Sequence, residues 1–196
     1  MARLTVDLFD AIEFDAASCG DHLTAALRMS RLASTGDPAG GMSRAEAYLR
    51  AGEQWLLADD PAEAADAFRE AITDGGPTFV DPRVPLARAL YLLGQPEQAA
   101  GIIRQLEAED TSDPTVCDLV AELLLEQSDL PGALAWVTKG VEGCLPGGPA
   151  QAGAAVPGDG AGELRLLLNL RYRIRNDLGL PEDDYDRLID RLETDD

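Results

Sequence analysis

Apolar positions recur along this chain at helical spacing, in one segment after another. Leu4, Leu8 and Ile12 predict a first helix, and Leu23, Ala26 and Leu27 a second, after a break at Cys19-Gly20-Asp21. From about residue 43 to 145 the pattern becomes periodic. An alanine, a large residue four positions on and a third residue three further recur as Ala64/Phe68/Ala71, Ala99/Ile103/Leu106 and Ala133/Val137/Gly140, offset by 35 and then 34 residues. Twelve positions before each alanine stand Gly52, Ala87 and Ala121, and nine before stand Trp55, Leu90 and Leu124. A repeat of this length predicts stacked helical hairpins rather than one closed core.

Turn chemistry supports the same division. Asp60-Pro61, Gln95-Pro96 and Leu130-Pro131 place a proline where each second helix should start. A fixed φ suits the first helical turn, and the missing N–H costs nothing there. Asp81-Pro82 and Asp113-Pro114 predict first-helix starts, with aspartate as cap. Ser43 and Glu46 form a candidate capping box after the loop Asp37-Pro38-Ala39-Gly40-Gly41. Gly52, Ala87 and Ala121 should let the paired helix approach closely, meeting Ala64, Ala99 and Ala133. Trp55, Leu90, Leu124, Phe68, Ile103 and Val137 should fill the space between successive hairpins.

Beyond the repeats, residues 146–162 contain 14 Gly, Pro or Ala in 17 and read as a flexible linker. Residues 163–178 follow as a helix carrying Leu164, Leu167, Ile174 and Leu178 and ended by Gly179, and Pro181 is expected to open a last helix with Glu182, Asp183 and Asp184 in its first turn. The chain is thus expected to be one domain: a degenerate leading hairpin (1–42), three hairpins (43–145), the linker and capping helices (163–196).

Hydrophobic residues make up 45% and aromatics 5% of the 196 residues, a composition that favours helix over strand. Thirty-six acids against 16 bases give a net charge of −20. Such a surface repels phosphate backbones and anionic membranes, so neither nucleic acid nor membrane is an expected partner. The acidity has two readings, selection by a partner or a chain-wide bias from coding composition or salt adaptation. No apolar run approaches the ~20 residues needed to span a bilayer. The opening residues carry Asp7, Asp10 and Glu13 where a secretory signal needs an apolar stretch. Cys19, Cys117 and Cys144 are widely spaced and contain no Cys-x2-Cys pair, which suggests neither a disulfide framework nor zinc. A cytoplasmic, reduced protein is expected.

In the first copy Gly52, Trp55, Ala64, Phe68 and Ala71, with Tyr48 ahead of them, resemble the tetratricopeptide repeat. The second copy matches at Leu86, Ala87, Leu90, Ala99 and Ile103, with Arg83 where an aromatic is usual. The third matches at Ala121, Leu124 and Ala133, with Gly140 replacing the usual alanine. The resemblance implies an all-α, right-handed α-solenoid acting as a non-catalytic protein-interaction module. The tail from Leu166 to Asp186 is similar to endings of actinobacterial repeat proteins, some of which carry a SEC-C zinc motif; with no Cys-x-Cys here, zinc does not carry over.

In this family the inner face of each first helix lines the ligand groove. Mapped onto this chain, that face is Glu46, Leu49, Glu53 and Leu56, then Val84, Arg88 and Tyr91, then Asp118, Glu122 and Leu125. The mixture suits a basic or amphipathic peptide, steered by the acids and held by the apolar side chains. The other reading is a solvated acidic face. A self-associating homodimer with no separate ligand is the alternative function. Arg165, Arg171, Arg173 and Arg175 form a secondary basic patch, open to an acidic partner or to pairing within the chain. His22 is the lone histidine, and Gly158-Asp-Gly-Ala-Gly162 lacks the strand and Lys-Ser/Thr of a phosphate loop. No nucleophile, base and orienter can be assembled, so no enzyme activity, cofactor or metal is expected.

Overall fold

The computed structural model describes residues 2–109, 111–145, 147–149 and 160–189. Among them the chain is all-α: α1 (Val6–Cys19), α2 (His22–Thr35), a 3-10 turn (Pro38–Gly40), α3 (Arg44–Leu57), α4 (Pro61–Asp74), α5 (Arg83–Leu92), α6 (Pro96–Ala108), α7 (Pro114–Glu126), α8 (Leu130–Cys144) and α9 (Gly160–Asp177). These form consecutive helical hairpins, the α-solenoid class of fold. They divide into two compact units, Met1–Gln105 and Leu106–Asp196, with the boundary inside α6.

The period read from the sequence reappears in the backbone of the hairpin turns. Asp59, Gly94 and Ser128, at the same offsets, all adopt left-handed φ of 60–69°. The next residue's N–H reaches back to the carbonyl of Trp55, Leu90 or Leu124, each at 2.9 Å. The left-handed residue itself donates to Leu56, Tyr91 or Leu125. Each first helix therefore ends in a Schellman motif that satisfies its last carbonyls. The second helix starts at once. Asp60 and Asp129 accept the N–H of Glu63 and Gly132, with Pro61 and Pro131 in the first turn. Asp113 caps α7 in the same way. Asp81-Pro82 departs from expectation: α5 begins at Arg83, and Asp81 Oδ1 instead accepts the Arg83 N–H and pairs with its guanidinium.

In the first unit the segment 2–5 lies along the loop after α2, through Leu4 N–H to Asp37 O (2.8 Å) and Asp37 N–H to Ala2 O (2.9 Å). This fixes where α1 begins. Leu4, Phe9, Ile12, Ala16, Ala25, Met29 and Ala33 form a core with Met42, Ala47 and Ala51 of the next hairpin. Of the positions expected to face inward on α2, Ala26 is buried but Leu23 and Leu27 are exposed; Ala25, Met29 and Ala33 complete the inward face. Trp55 is buried against α2, its Nε1–H donating to Ser30 Oγ at 2.9 Å. Gly52 does allow a close approach, but the group it admits is Phe68: a Cβ at position 52 would collide with that ring.

In the second unit α9 lies against α8 and α7, with Leu164, Leu167, Leu168 and Ile174 buried. Gly140, where the third copy loses its alanine, sits so tightly that a Cβ would come within 2.8 Å of Cys117 Cβ and 3.3 Å of Leu167. Of the expected 146–162 linker, residue 146 and residues 150–159 lie outside the described residues, and 160–162 already belong to α9. Pro181 does not open the last helix. Residues 181–183 have no regular structure, 184 and 185 turn, and helix runs from 186. Asp183 Oδ1 accepts the Asp186 N–H (3.2 Å), while Asp186 Oδ2 accepts the Asp183 N–H (3.0 Å). This reciprocal pair is a capping box built from two aspartates.

Candidate interaction surface

The first unit carries a cleft of about 660 Å³, bounded by α1, α3 and residues 77–80. Val6 and Asp10 come from α1, Glu46, Leu49, Arg50 and Glu53 from α3, and Phe79 and Val80 from the segment between hairpins. The walls are set by sequence-local bonds. Ser43 Oγ caps α3 through the Glu46 N–H (2.8 Å) and donates to Pro77 O (2.5 Å). Glu46 does not close the expected capping box. Its Oε2 accepts the Phe79 N–H at 2.8 Å, holding the 77–80 segment beside the helix while the Phe79 ring stays 87% exposed.

Arg50 is held by α1. Its Nε donates to Glu13 Oε1 (2.7 Å) and its Nη2 to Asp10 Oδ1 (2.6 Å) and to Glu13 Oε2, with the guanidinium 5.7 Å from the centre of the Phe9 ring. Burial alone would weaken its proton affinity, but the bonds to Glu13 and Asp10 outweigh that and keep it charged. Glu53 is in the opposite position. Its carboxyl opens to solvent, yet protein surrounds it on most sides. Desolvation first, then the charges of Glu13 and Glu46, push it up to about 7 against the pull of Arg50.

Of the ten groove residues expected from sequence, Glu46, Leu49 and Glu53 meet in this cleft. Leu49 forms its floor at 1% exposure. Leu56, Arg88 and Tyr91 belong to the same unit and are half-buried. Val84 is buried at 4% exposure and presents almost no surface. Asp118, Glu122 and Leu125 lie on α7 in the second unit. There the Asp118 carboxyl is raised by burial and then by Glu122 and Glu163, and Glu163 accepts from Thr115 Oγ1 at 3.0 Å. The cleft residues that sequence reasoning missed include Val6, Asp10, Arg50 and Phe79, together with Glu13, which holds Arg50. The leading hairpin departs too far from the repeat for the periodic pattern to assign its inner face. The acids at Asp10 and Glu13 were legible, though only as residues unsuited to a signal peptide.

Arg171 and Arg175 of the basic patch are bound within the chain. Arg171 Nη1 and Nη2 donate to Asp183 (3.0 and 2.6 Å), Nη1 to Asp186 (3.2 Å) and Nε to Thr138 Oγ1 (3.1 Å). The Tyr185 ring lies 4.8 Å away. Arg175 Nε donates to Asp186 Oδ2 (2.9 Å), its Nη1 pairs with Asp183 Oδ2 (3.1 Å), and its Nη2 donates to Pro181 O. Burial alone would raise Asp183, but Arg171 above all, then the Asp186 N–H and Arg175, bring its carboxyl to about 2. Arg165 and Arg173 lie on exposed positions of α9. The three cysteines are free thiols, and burial pushes Cys117 up to about 11, which keeps it protonated and unreactive. Among the described residues no group of three or more His, Cys, Asp or Glu side chains could hold a metal, and no helix is long and apolar enough to cross a membrane.

The family model of the tetratricopeptide repeat matches residues 56–123, which run from the last two residues of α3 to Leu123 in α7. No curated protein and no solved structure matches the chain. Hairpins of the expected period and turn chemistry lie on both sides of that segment, and over residues 56–123 the chain is similar to the tetratricopeptide repeat.

Proposed function

We propose that this protein is a non-catalytic interaction module that binds a basic or amphipathic segment of a partner protein on the inner faces of its first helices. Tetratricopeptide repeats generally mediate protein–protein interaction, and the observation that carries the finer reading is the composition of the α1–α3 cleft. Apolar Val6, Leu49 and Phe79 adjoin Asp10, Glu46 and Glu53, while the cation that lines it, Arg50, is already bonded to Asp10 and Glu13. A groove with this balance attracts a cation and buries its apolar neighbours. The α7 surface, with Asp118 and Glu122 beside Leu125, offers the same chemistry in the second unit. Three free thiols suit a reducing setting, in keeping with work in the cytoplasm.

The test is a calorimetric titration with an amphipathic peptide of arginine and leucine, at low and high salt, alongside its glutamate-for-arginine counterpart. The arginine peptide is expected to bind, to weaken with salt, and to weaken again when Glu53→Lys and Glu122→Lys are combined with the fold intact by circular dichroism. Equal affinity of the acidic peptide, or indifference to the charge reversals, contradicts the reading. Sedimentation equilibrium of the protein alone should give a mass independent of concentration. A rising mass would shift the function to self-assembly.

A further inference from the structure

The cleft has one carboxylate left over. Arg50 is bound by Asp10 and Glu13, and Glu46 is occupied by the Phe79 N–H. Among the described residues Glu53 takes no hydrogen-bond donor and no ion-pair partner, yet it lies in the same cleft as the exposed Phe79 ring and Val6. The cleft already shows what suits such a setting. Arg50, three residues before Glu53 on α3, places its guanidinium between two carboxylates and an aromatic ring. Its planar cation stacks on an aromatic face and still reaches a carboxylate with two N–H groups, which an ammonium cannot do as well.

We propose that the α1–α3 cleft is a socket for a single arginine side chain of the partner, with Glu53 as its counter-ion and Phe79 and Val6 as the apolar walls that receive the neighbouring residues. This deepens the interaction reading above and rests on it. The occupant follows from charge complementarity: the cleft has more carboxylates than cations and one carboxylate without a partner, so a cation relieves repulsion that the empty cleft retains. The charges facing Glu53 are Asp10 and Glu13 from α1 and Glu46 and Arg50 from α3; residues 77–80 add none. Because burial, and then the charges of Glu13 and Glu46, make Glu53 hold its proton near neutrality, entry of a guanidinium expels that proton. Binding therefore strengthens as pH rises through 7.

The experiment uses the isotopically labelled full chain and three short capped peptides, each with one arginine, lysine or citrulline between leucine and phenylalanine. Amide shifts are followed by NMR at pH 6 and pH 8. The socket predicts shifts on α1, α3 and residues 77–80 with the arginine peptide and an affinity loss of about tenfold or more with citrulline. It also predicts tighter binding at pH 8 than at pH 6, a gain that Glu53→Gln abolishes. Binding that shifts only residues beyond 106, or that citrulline leaves undiminished, overturns the socket while the interaction reading stands. An arginine affinity equal at both pH values overturns it as well, and so does the absence of shifts with every peptide.

Discussion

Three residues at one repeat position, Asp59, Gly94 and Ser128, turn the chain from first to second helix with left-handed backbone. Only one of them is the residue type that takes this conformation without strain. Asp59→Gly and Ser128→Gly should each stabilise the protein by about 0.5–1 kcal/mol, measured by urea unfolding; a loss in both would mean that their side chains hold the turns. At this scale the sequence was informative where a residue's role is local. The prolines and the aspartate caps at Asp60 and Asp113 were legible because each satisfies its own turn. Phe68 against Gly52, and Leu167 against Gly140, were not, because those contacts depend on which helix the fold brings alongside. Glu53 supplies the pH test. Between its ordinary 4.5 and about 7, the folded chain keeps a proton that the unfolded chain releases, so this carboxyl's contribution to stability falls as pH rises through that window. Glu53→Gln should raise the melting temperature at pH 8 and change it little at pH 5. An equal gain at both would remove burial of the charged carboxylate, and its repulsion by Glu13 and Glu46, as the cause.

At the scale of elements, the segment 181–189 is fastened to α9 by a cluster in which every polar group has several partners. Arg171 and Asp186 are both buried, at 5% and 8% exposure. Removing one member leaves the other as a buried charge short of partners, and Arg171→Met should cost about 3 kcal/mol of the second unit's stability. Hydrogen exchange at residues 185–188 should accelerate with it; unchanged protection would mean that packing of Leu188 holds the segment. Because Asp183 is held near 2 when folded against 3.8 ordinarily, its contribution is complete above pH 3.8 and is lost as pH falls from there through 2. The sequence exposed the four arginines and the acids that follow, but not their geometry. Pro181 invited a helix start two residues before Asp183, the residue that caps it. The leading hairpin was legible as two helices divided at Gly20, whose φ of 73° ends α1. Its inward face on α2 was legible at Ala26 and misread at Leu23 and Leu27, because alanines, not leucines, fill the tight space beside α3.

For the whole molecule the governing quantity is the net charge of −20. Like charges spread over a chain of this size repel in the folded state, and added salt screens them. Salt should therefore raise the melting temperature of the protein alone while lowering its affinity for a basic partner. Two responses of opposite sign distinguish chain-wide repulsion from recognition at the cleft. The repeat period made the hairpin architecture legible. It could not reveal a cleft whose one wall, α1, lies outside the recognisable repeats. The most direct test of the account is selection of peptides from a random library by the immobilised full chain, read by sequencing against Glu53→Lys as control. The account predicts enrichment of arginine-containing peptides with apolar neighbours on the natural chain and loss of that enrichment on the variant. Enrichment of acidic peptides, or the same peptides recovered equally from both, would contradict it.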